Sequence, residues 1–262
     1  MDEIAPARGL TRNAFLMALS SAEFELLRAH LVSQELRVGE VLLRLGDPVE
    51  NVIFPHSGVA AMSVANDAKA GALLVGRDGI IGGLAAAGPV PAICDVEVHI
   101  SGTASRMAAA AFRYVLDESP GLRRTAMRFH AVMLAQAQQT ALCNAVHPVD
   151  ARMCRWLLEI VDRVGDRRVP LTQATLAQLL GVRRTTVTLM AGRLEAAGVL
   201  NCRRGAMHIV DPHELQRRSC ECYTHLKNYQ AAVFAKPADA GAYPATEALP
   251  ALSALGLISP AG

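Results

Sequence analysis

Hydrophobic spacing divides the chain into stretches of different texture. Residues 20–32, SSAEFELLRAHLV, open on Ser20 with Glu23 three positions on and apolar Phe24, Leu26, Leu27 and Leu31 behind it, which predicts a capped short helix. From about 36 to 112 the pattern turns to short apolar runs cut by glycine: RVGEVLLRLGDPVENVIFPHSGVAAMSV, GALLVGRDGIIGGL and VEVHISGTASRM. Strands of four to six residues with turns at Gly39, Gly46, Asp47-Pro48, Gly58 and Gly102 predict a compact β-roll or barrel-like sandwich. Ser119-Pro120 then starts a long helix. Within it Leu122, Ala126, Phe129, Met133, Gln136, Thr140 and Cys143 alternate spacings of four and three, the seam of about three heptads. A helix packed on its own domain would share that spacing. Its position between two globular parts favours a seam with a second chain, and twofold pairing is the commonest oligomer. After Pro148 a further helix shows Trp156, Leu157, Ile160 and Val161 as its buried stripe, with Arg152, Arg155, Arg163, Arg167 and Arg168 largely outside it. Residues 231–262 hold 11 Ala, 4 Pro and 3 Gly and read as a mostly disordered tail.

The most specific local pattern is LTQATLAQLLGVRRTTVTLMAGRLEAAGVLNCRRGAMHIV, residues 171–210. Thr172 can cap a helix 173–180 whose Leu176, Ala177 and Leu180 face inward, Gly181 supplies a tight turn, and a second helix follows over 183–197. Two helices joined by a short glycine turn form a helix-turn-helix. Val187, Met190, Ala191 and Leu194 make the buried face of the second helix, leaving Arg183, Arg184, Thr185, Thr186 and Thr188 at the end where a recognition helix meets base edges. Arg184 can fork onto guanine O6 and N7, while threonine hydroxyls and methyls suit base edges, phosphates and thymine methyl groups. Gln173 opens the first helix, where backbone N–H groups and a side-chain amide can hold a phosphate. Residues 199–211 read as a hairpin turning at Arg204-Gly205, a wing whose Arg203 and Arg204 neutralise phosphates without specifying sequence.

Charge sharpens this reading. The chain of 262 residues carries a net charge of only +2, is 52% hydrophobic and 19% charged, and 45 of its residues are Ala. Disorder throughout, a collagen-like chain and a disulfide scaffold are excluded by this composition. Residues 1–118 hold 9 basic and 14 acidic groups, whereas residues 119–230 hold 16 and 8, the 16 being 15 Arg and Lys227. An acidic front and a basic second half suit a nucleic-acid-facing module joined to another domain. No apolar run reaches membrane-spanning length and the N-terminus has no signal-peptide core, so a cytoplasmic location with reduced thiols is expected.

In this order of parts the chain resembles the Crp/Fnr family of bacterial transcription regulators over about residues 19–225. Arg37, Gly39, Glu40, Gly46, Phe54, Pro55 and Gly58 are similar to the family's opening roll strands, and Gly181, Arg184, Thr186, Val187 and Leu194 to its DNA-binding motif. The resemblance implies an α+β chain: a cyclic-nucleotide-binding-like roll over 19–118, a dimerisation helix over 119–146 and a winged helix-turn-helix over 149–225. It further implies a homodimer that reads a pseudo-palindromic site in double-stranded DNA and engages RNA polymerase, without catalysis. The signal received by the roll is left unspecified. Cyclic-nucleotide-binding members carry Gly-Glu followed by Arg-Ser or Arg-Thr around the phosphate. Here the stretch reads GRDGIIGGLAAAGPVPAICDVEV, with no Arg between Arg77 and Arg106. A cyclic phosphate buried there would lack its counter-charge, which disfavours cyclic AMP. The cysteines of an N-terminal iron–sulfur cluster are also missing before Cys94. Thr185 and Leu189 replace the acidic residue and second Arg of the best-known recognition helices, so a DNA site different from the common half-site is expected.

Other chemistry is weaker. Cys143 and His147 lie four apart with Cys154 nearby, and two ligands do not make a metal site. Cys220-Glu221-Cys222 fits neither a redox nor a zinc spacing. A thiol- or metal-based redox sensor and a cyclic-nucleotide-like binding module remain as alternative readings. The glycine-rich GRDGIIGGLAAAG lacks the order of a phosphate loop or a dinucleotide fingerprint, and no catalytic arrangement can be assembled from spacing.

Overall fold

The structure, a computed structural model, describes residues 11–63, 71–203 and 205–234. Helix α1 (Ala14–Ala18) is capped by Asn13, whose side-chain oxygen accepts from the N–H groups of Phe15 and Leu16. The Asn13 amide donates to the carbonyls of Pro55 and Gly79 at 3.0 and 2.9 Å, tying the entry of the chain to the roll. Helix α2 (Ser21–Arg28) has the capping box expected of Ser20 and Glu23.

The roll contains β1 (Val32–Leu36), β2 (Val41–Leu43), β3 (Asn51–Pro55), β4 (Val59–Ser63), β5 (Gly71–Val75), β6 (Asp95–Ile100) and β7 (Gly102–Ala108). They form two antiparallel sheets, ordered β1-β7-β3 and β2-β6-β4-β5, with a 3-10 turn at Gly83–Ala87. Between them Leu36, Ile53, Ala60, Leu73, Val75, Ile81, Val96, Val98 and Ala104 make one apolar cluster. Helical structure resumes earlier than the sequence pattern indicates. Helix α3 (Ala109–Glu118) follows β7 with no Gly or Pro to announce it and buries Ala109, Phe112, Val115 and Leu116.

Helix α4 (Pro120–Val146) starts as expected, with Ser119 accepting from the Leu122 N–H. Its heptad positions behave differently from a seam open to another chain. Leu122, Ala126, Phe129, Thr140 and Cys143 are buried within the chain itself, and Met133 and Gln136 are half-buried. Phe129 stacks edge-on against Phe15 at 5.3 Å and meets Phe234 at 4.4 Å. Five of the seven residues expected at a dimer seam are therefore covered by the chain itself, Leu122, Ala126 and Phe129 in the cluster with Phe15 and Phe112, and Cys143 beside Cys220 and Cys222. The face left exposed is offset round the helix, with Met127, Leu134, Leu142 and Val146 each more than half exposed.

Helix α5 (Val149–Val164) buries Trp156, Leu157 and Ile160 as expected, but Arg155 and Arg163 also lie inside, 1% and 4% exposed. The correction has a packing cause. Val59, Ala61, Leu74 and Ile100 of the roll share one apolar cluster with α5 and the segments beyond it, so α5 is covered on more than one side. Its two arginines survive there because Glu159 accepts from Arg155 at 2.6 Å, and Asp78 pairs with Arg163 at 2.9 Å.

The described residues end in β8 (Arg168–Val169), α6 (Gln173–Leu180), α7 (Arg184–Ala196), β9 (Leu200–Arg203), β10 (Ala206–Ile209), α8 (Pro212–Arg218) and α9 (Cys222–Phe234), with a sheet ordered β8-β10-β9. Residues 231–234, assigned by composition to a disordered tail, are the last turn of α9, where Phe234 packs toward the cluster around Phe129. The remainder of that tail lies outside the described residues.

Candidate DNA-recognition surface

Two short helices and a hairpin place the candidate contacts together. Thr172 caps α6 by accepting from the Thr175 N–H. Gly181 ends it at φ 65, a left-handed conformation that L side chains reach at a cost and glycine adopts freely. The turn closes with the Val182 N–H donating to the Ala177 carbonyl at 3.0 Å. Helix α7 then starts after Arg183, buries Val187, Met190, Ala191 and Leu194, and turns Arg184, Thr185, Thr188 and Leu189 to solvent, with Thr186 half-buried. Arg183 caps α7 without a side-chain hydrogen bond, so the first N–H groups of the helix stay available to an anion.

The wing pairs β9 with β10, Ala206 opposite Arg203, across a turn in which Gly205 takes φ 72. Arg203 is exposed, and Arg204 lies outside the described residues. Leu171, Thr172, Gln173, Ala174, Arg184, Cys202, Arg203 and Gly205 line a concave groove between the two helices and the wing. Gln173 is less free than its sequence position suggests, because its Oε1 accepts from the Thr188 hydroxyl at 2.7 Å and its amide points to Cys202 Sγ at 3.6 Å. That contact fixes the α6 N-terminus to the recognition helix. Burial pushes the Cys202 thiol up, leaving it a neutral floor to the groove.

Among the described residues Arg183, Arg184, Arg193 and Arg203 make no ion pair, whereas Arg155 and Arg163 are each paired within the chain. A guanidinium on this surface therefore keeps its five donors for an external partner. Free cations, exposed threonines and an open helix N-terminus on one concave face are the equipment of a major-groove reader. Joined to a two-sheet roll through a long helix, they make up a winged helix-turn-helix module.

Comparison with known proteins agrees at the level of fold and module. The profile of the Crp-like helix-turn-helix domain matches residues 151–218. Electron transport regulator A of Shewanella oneidensis is 22% identical over 206 residues, 68% of this chain and 74% of that protein. Solved structures with the same fold include FixK2 of Bradyrhizobium japonicum, at a TM-score of 0.64 and 16% identity over 72% of this chain and 98% of that one. A Crp/Fnr-family regulator from Eubacterium rectale reaches a TM-score of 0.60 at 16% identity, covering 79% of this chain and 98% of its own. The chain thus shares the fold of Crp/Fnr-family regulators and carries a Crp-like helix-turn-helix domain over residues 151–218. Among the described residues no helix is long and apolar enough to cross a membrane.

A second cluster emerges that sequence spacing kept apart. Cys143 and His147 at the end of α4 face Cys220 and Cys222 from the α8–α9 connection. The hydrogen bond shared with Cys220 holds the Cys143 thiol below its ordinary value, with the Arg155 charge acting in the same direction against burial. The signal for this cluster is present as a Cys143–His147 pair and a Cys220–Cys222 pair, but 77 residues separate Cys143 from Cys220 and only the fold joins them.

Proposed function

We propose that the protein is a homodimeric, cytoplasmic regulator that reads a pseudo-palindromic DNA site through α7 and acts by binding rather than catalysis, with RNA polymerase as its downstream partner. The observation that carries this reading is the pair of arginines without ion pairs, Arg184 and Arg203, lining one groove, with Arg183 exposed at the α7 N-cap. Arg184 reads a guanine edge, Thr185 and Thr188 adjoin it, and Leu189, 58% exposed, offers apolar contact to a thymine methyl. Arg183, Arg203 and Arg204 hold phosphates, and Gln173 orients Thr188. The second chain docks on the exposed face of α4, where Met127, Ala131, Leu134, Gln138, Ala141 and Ala145 themselves follow spacings of four and three. Two recognition helices then enter successive major grooves, about 34 Å apart.

Selection of oligonucleotides bound by the full chain tests the proposal. The expected product is a two-half-site sequence with a guanine lost from the consensus when Arg184→Ala is selected in parallel. Recovery of the usual cyclic-AMP-receptor half-site would overturn the specificity assignment, and no enrichment would overturn the reading itself.

A further inference from the structure

The end of α4 and the connection between α8 and α9 bring four metal-binding side chains to one point. One ligand atom from each of Cys143, His147, Cys220 and Cys222 lies within 4.8 Å of all the others. Cys143 Sγ is 3.5 Å from Cys220 Sγ, and Cys222 Sγ is 3.4 Å from His147 Nδ1. A tetrahedral zinc ion with bonds of about 2.3 Å to sulfur and about 2.0 Å to nitrogen spaces its ligands about 3.8 Å apart for S···S and about 3.6 Å for S···N. The two close pairs fall a few tenths of an ångström from those edges. Cys143 and Cys222 are fully buried and Cys220 is 7% exposed. Cysteines here are enclosed without being cross-linked.

The surroundings suit a bound ion as well. Gln139 Nε2 donates to Cys222 Sγ at 2.9 Å, the kind of N–H···S contact that orients a thiolate ligand. With His147 bound through Nδ1, its Nε2–H faces the Glu221 carboxylate, 3.9 Å away. Arg152 and Arg155 lie within electrostatic range of Cys143 and Cys220. A divalent ion with three thiolates carries one net negative charge, which these guanidinium groups offset, and Arg155 is buried with Nε and Nη2 free of any hydrogen-bond partner among the described residues.

We propose that Cys143, His147, Cys220 and Cys222 form a closed Cys3His site for a thiophilic tetrahedral cation, Zn²⁺, that clasps the end of the long helix to the last helix of the DNA-binding half. Three thiols give up their protons to solvent as the ion binds, His147 ligates as neutral imidazole, and no ligand position remains for substrate. The preference for three sulfurs and one nitrogen excludes Mg²⁺ and Ca²⁺. This site is independent of the DNA-binding reading and survives its failure.

The test uses the full chain, purified without oxygen or chelator. Elemental analysis with native mass spectrometry is expected to find one zinc per chain, retained by Cys94→Ser and lost from Cys143→Ser and Cys222→Ser. Gln139→Ala is expected to weaken zinc binding about 10- to 100-fold while the fold is kept. Should the cysteine variants fail to fold, cobalt substitution of the unaltered chain decides the matter. A sulfur-to-cobalt charge-transfer band with the intense visible bands of tetrahedral Co²⁺ supports the site. Three free thiols at Cys143, Cys220 and Cys222 with no metal and no cobalt spectrum would overturn it. So would iron with labile sulfide at the cluster, or a Cys143–Cys220 disulfide that leaves the reduced protein unable to take up zinc.

Discussion

Single side chains on the recognition surface differ in what they can tell apart. Arg184 stands on α7 at the groove and Arg203 on the wing, and both are unpaired among the described residues. Arg184→Ala is expected to cost about 1–3 kcal/mol and relax one base position, whereas Arg203→Ala weakens all sequences alike and lowers the salt slope by about one. Fluorescence anisotropy titrations of matched and mismatched duplexes over a salt series check both. The arginines of α5 were harder to place from sequence. Hydrophobic spacing sends Arg155 and Arg163 outward; Glu159 of the same helix pairs with both, and Arg163 draws its second carboxylate from Asp78, a partner that no local pattern reveals. His56 shows the same dependence on distant residues: it is held by Thr11 at 3.2 Å and Ser105 at 2.8 Å, and burial keeps its pKa below the ordinary 6.5. The unfolded chain then binds more protons than the folded one as the pH drops below about 6.5, so stability falls in that window and is fully present above it. Urea unfolding midpoints should decrease between about pH 7.5 and about pH 5.5, and less steeply in His56→Gln.

Elements were legible wherever a cap or a breaker marked them. The Ser20–Glu23 box, the Ser119-Pro120 start and the Thr172…Gly181 helix all appear at the expected residues, because each end is decided by local hydrogen bonds. Helix α3 was missed because β7 runs into it without a break, and α9 because nothing in its composition separates its last turn from the alanine-rich residues beyond. The heptad spacing of α4 marks a stripe that the chain itself largely covers, Leu122, Ala126, Phe129, Thr140 and Cys143 being buried without a second copy. Spacing reports that a face is covered and is silent about what covers it. The two faces can be separated by mutation. Leu134→Glu, on a residue 60% exposed, should give monomers by light-scattering chromatography with helicity and thermal midpoint little changed. Phe129→Ala, within the ring cluster of Phe15 and Phe234, should instead cost about 3–5 kcal/mol of fold stability. A monomer produced by the second change with full stability, or a dimer surviving the first, would return the seam to the residues of the original heptad.

Across the whole molecule, the roll and the helix-turn-helix half are not beads on a linker. Trp156 of α5 lies against β5 so closely that a Cβ on Gly71 would sit 2.6 Å from its ring and 3.3 Å from the Leu179 carbonyl of α6. A Cβ on Gly76 would likewise meet Arg163 at 3.0 Å. Two glycines of the roll thus create the space into which the DNA-binding half docks, and the Arg163–Asp78 pair and the Arg77 bond to the Asp162 carbonyl at 2.7 Å fasten the same contact. A change in the roll that moves β5 must displace α5 and α6, and with them the helix that meets DNA. Gly71→Ala overpacks this junction while leaving Arg184, Arg203 and the exposed face of α4 untouched. Overpacking of this kind costs about 1–3 kcal/mol, small enough for each half to stay folded. The expected outcome is faster amide exchange in both β5 and α5, unchanged exchange in α7, dimers still formed, and an affinity for the selected DNA site that shifts several-fold. Faster exchange with unaltered affinity would mean that the junction holds the halves together without setting the spacing of the recognition helices, and the signal would then have to travel through α4 alone.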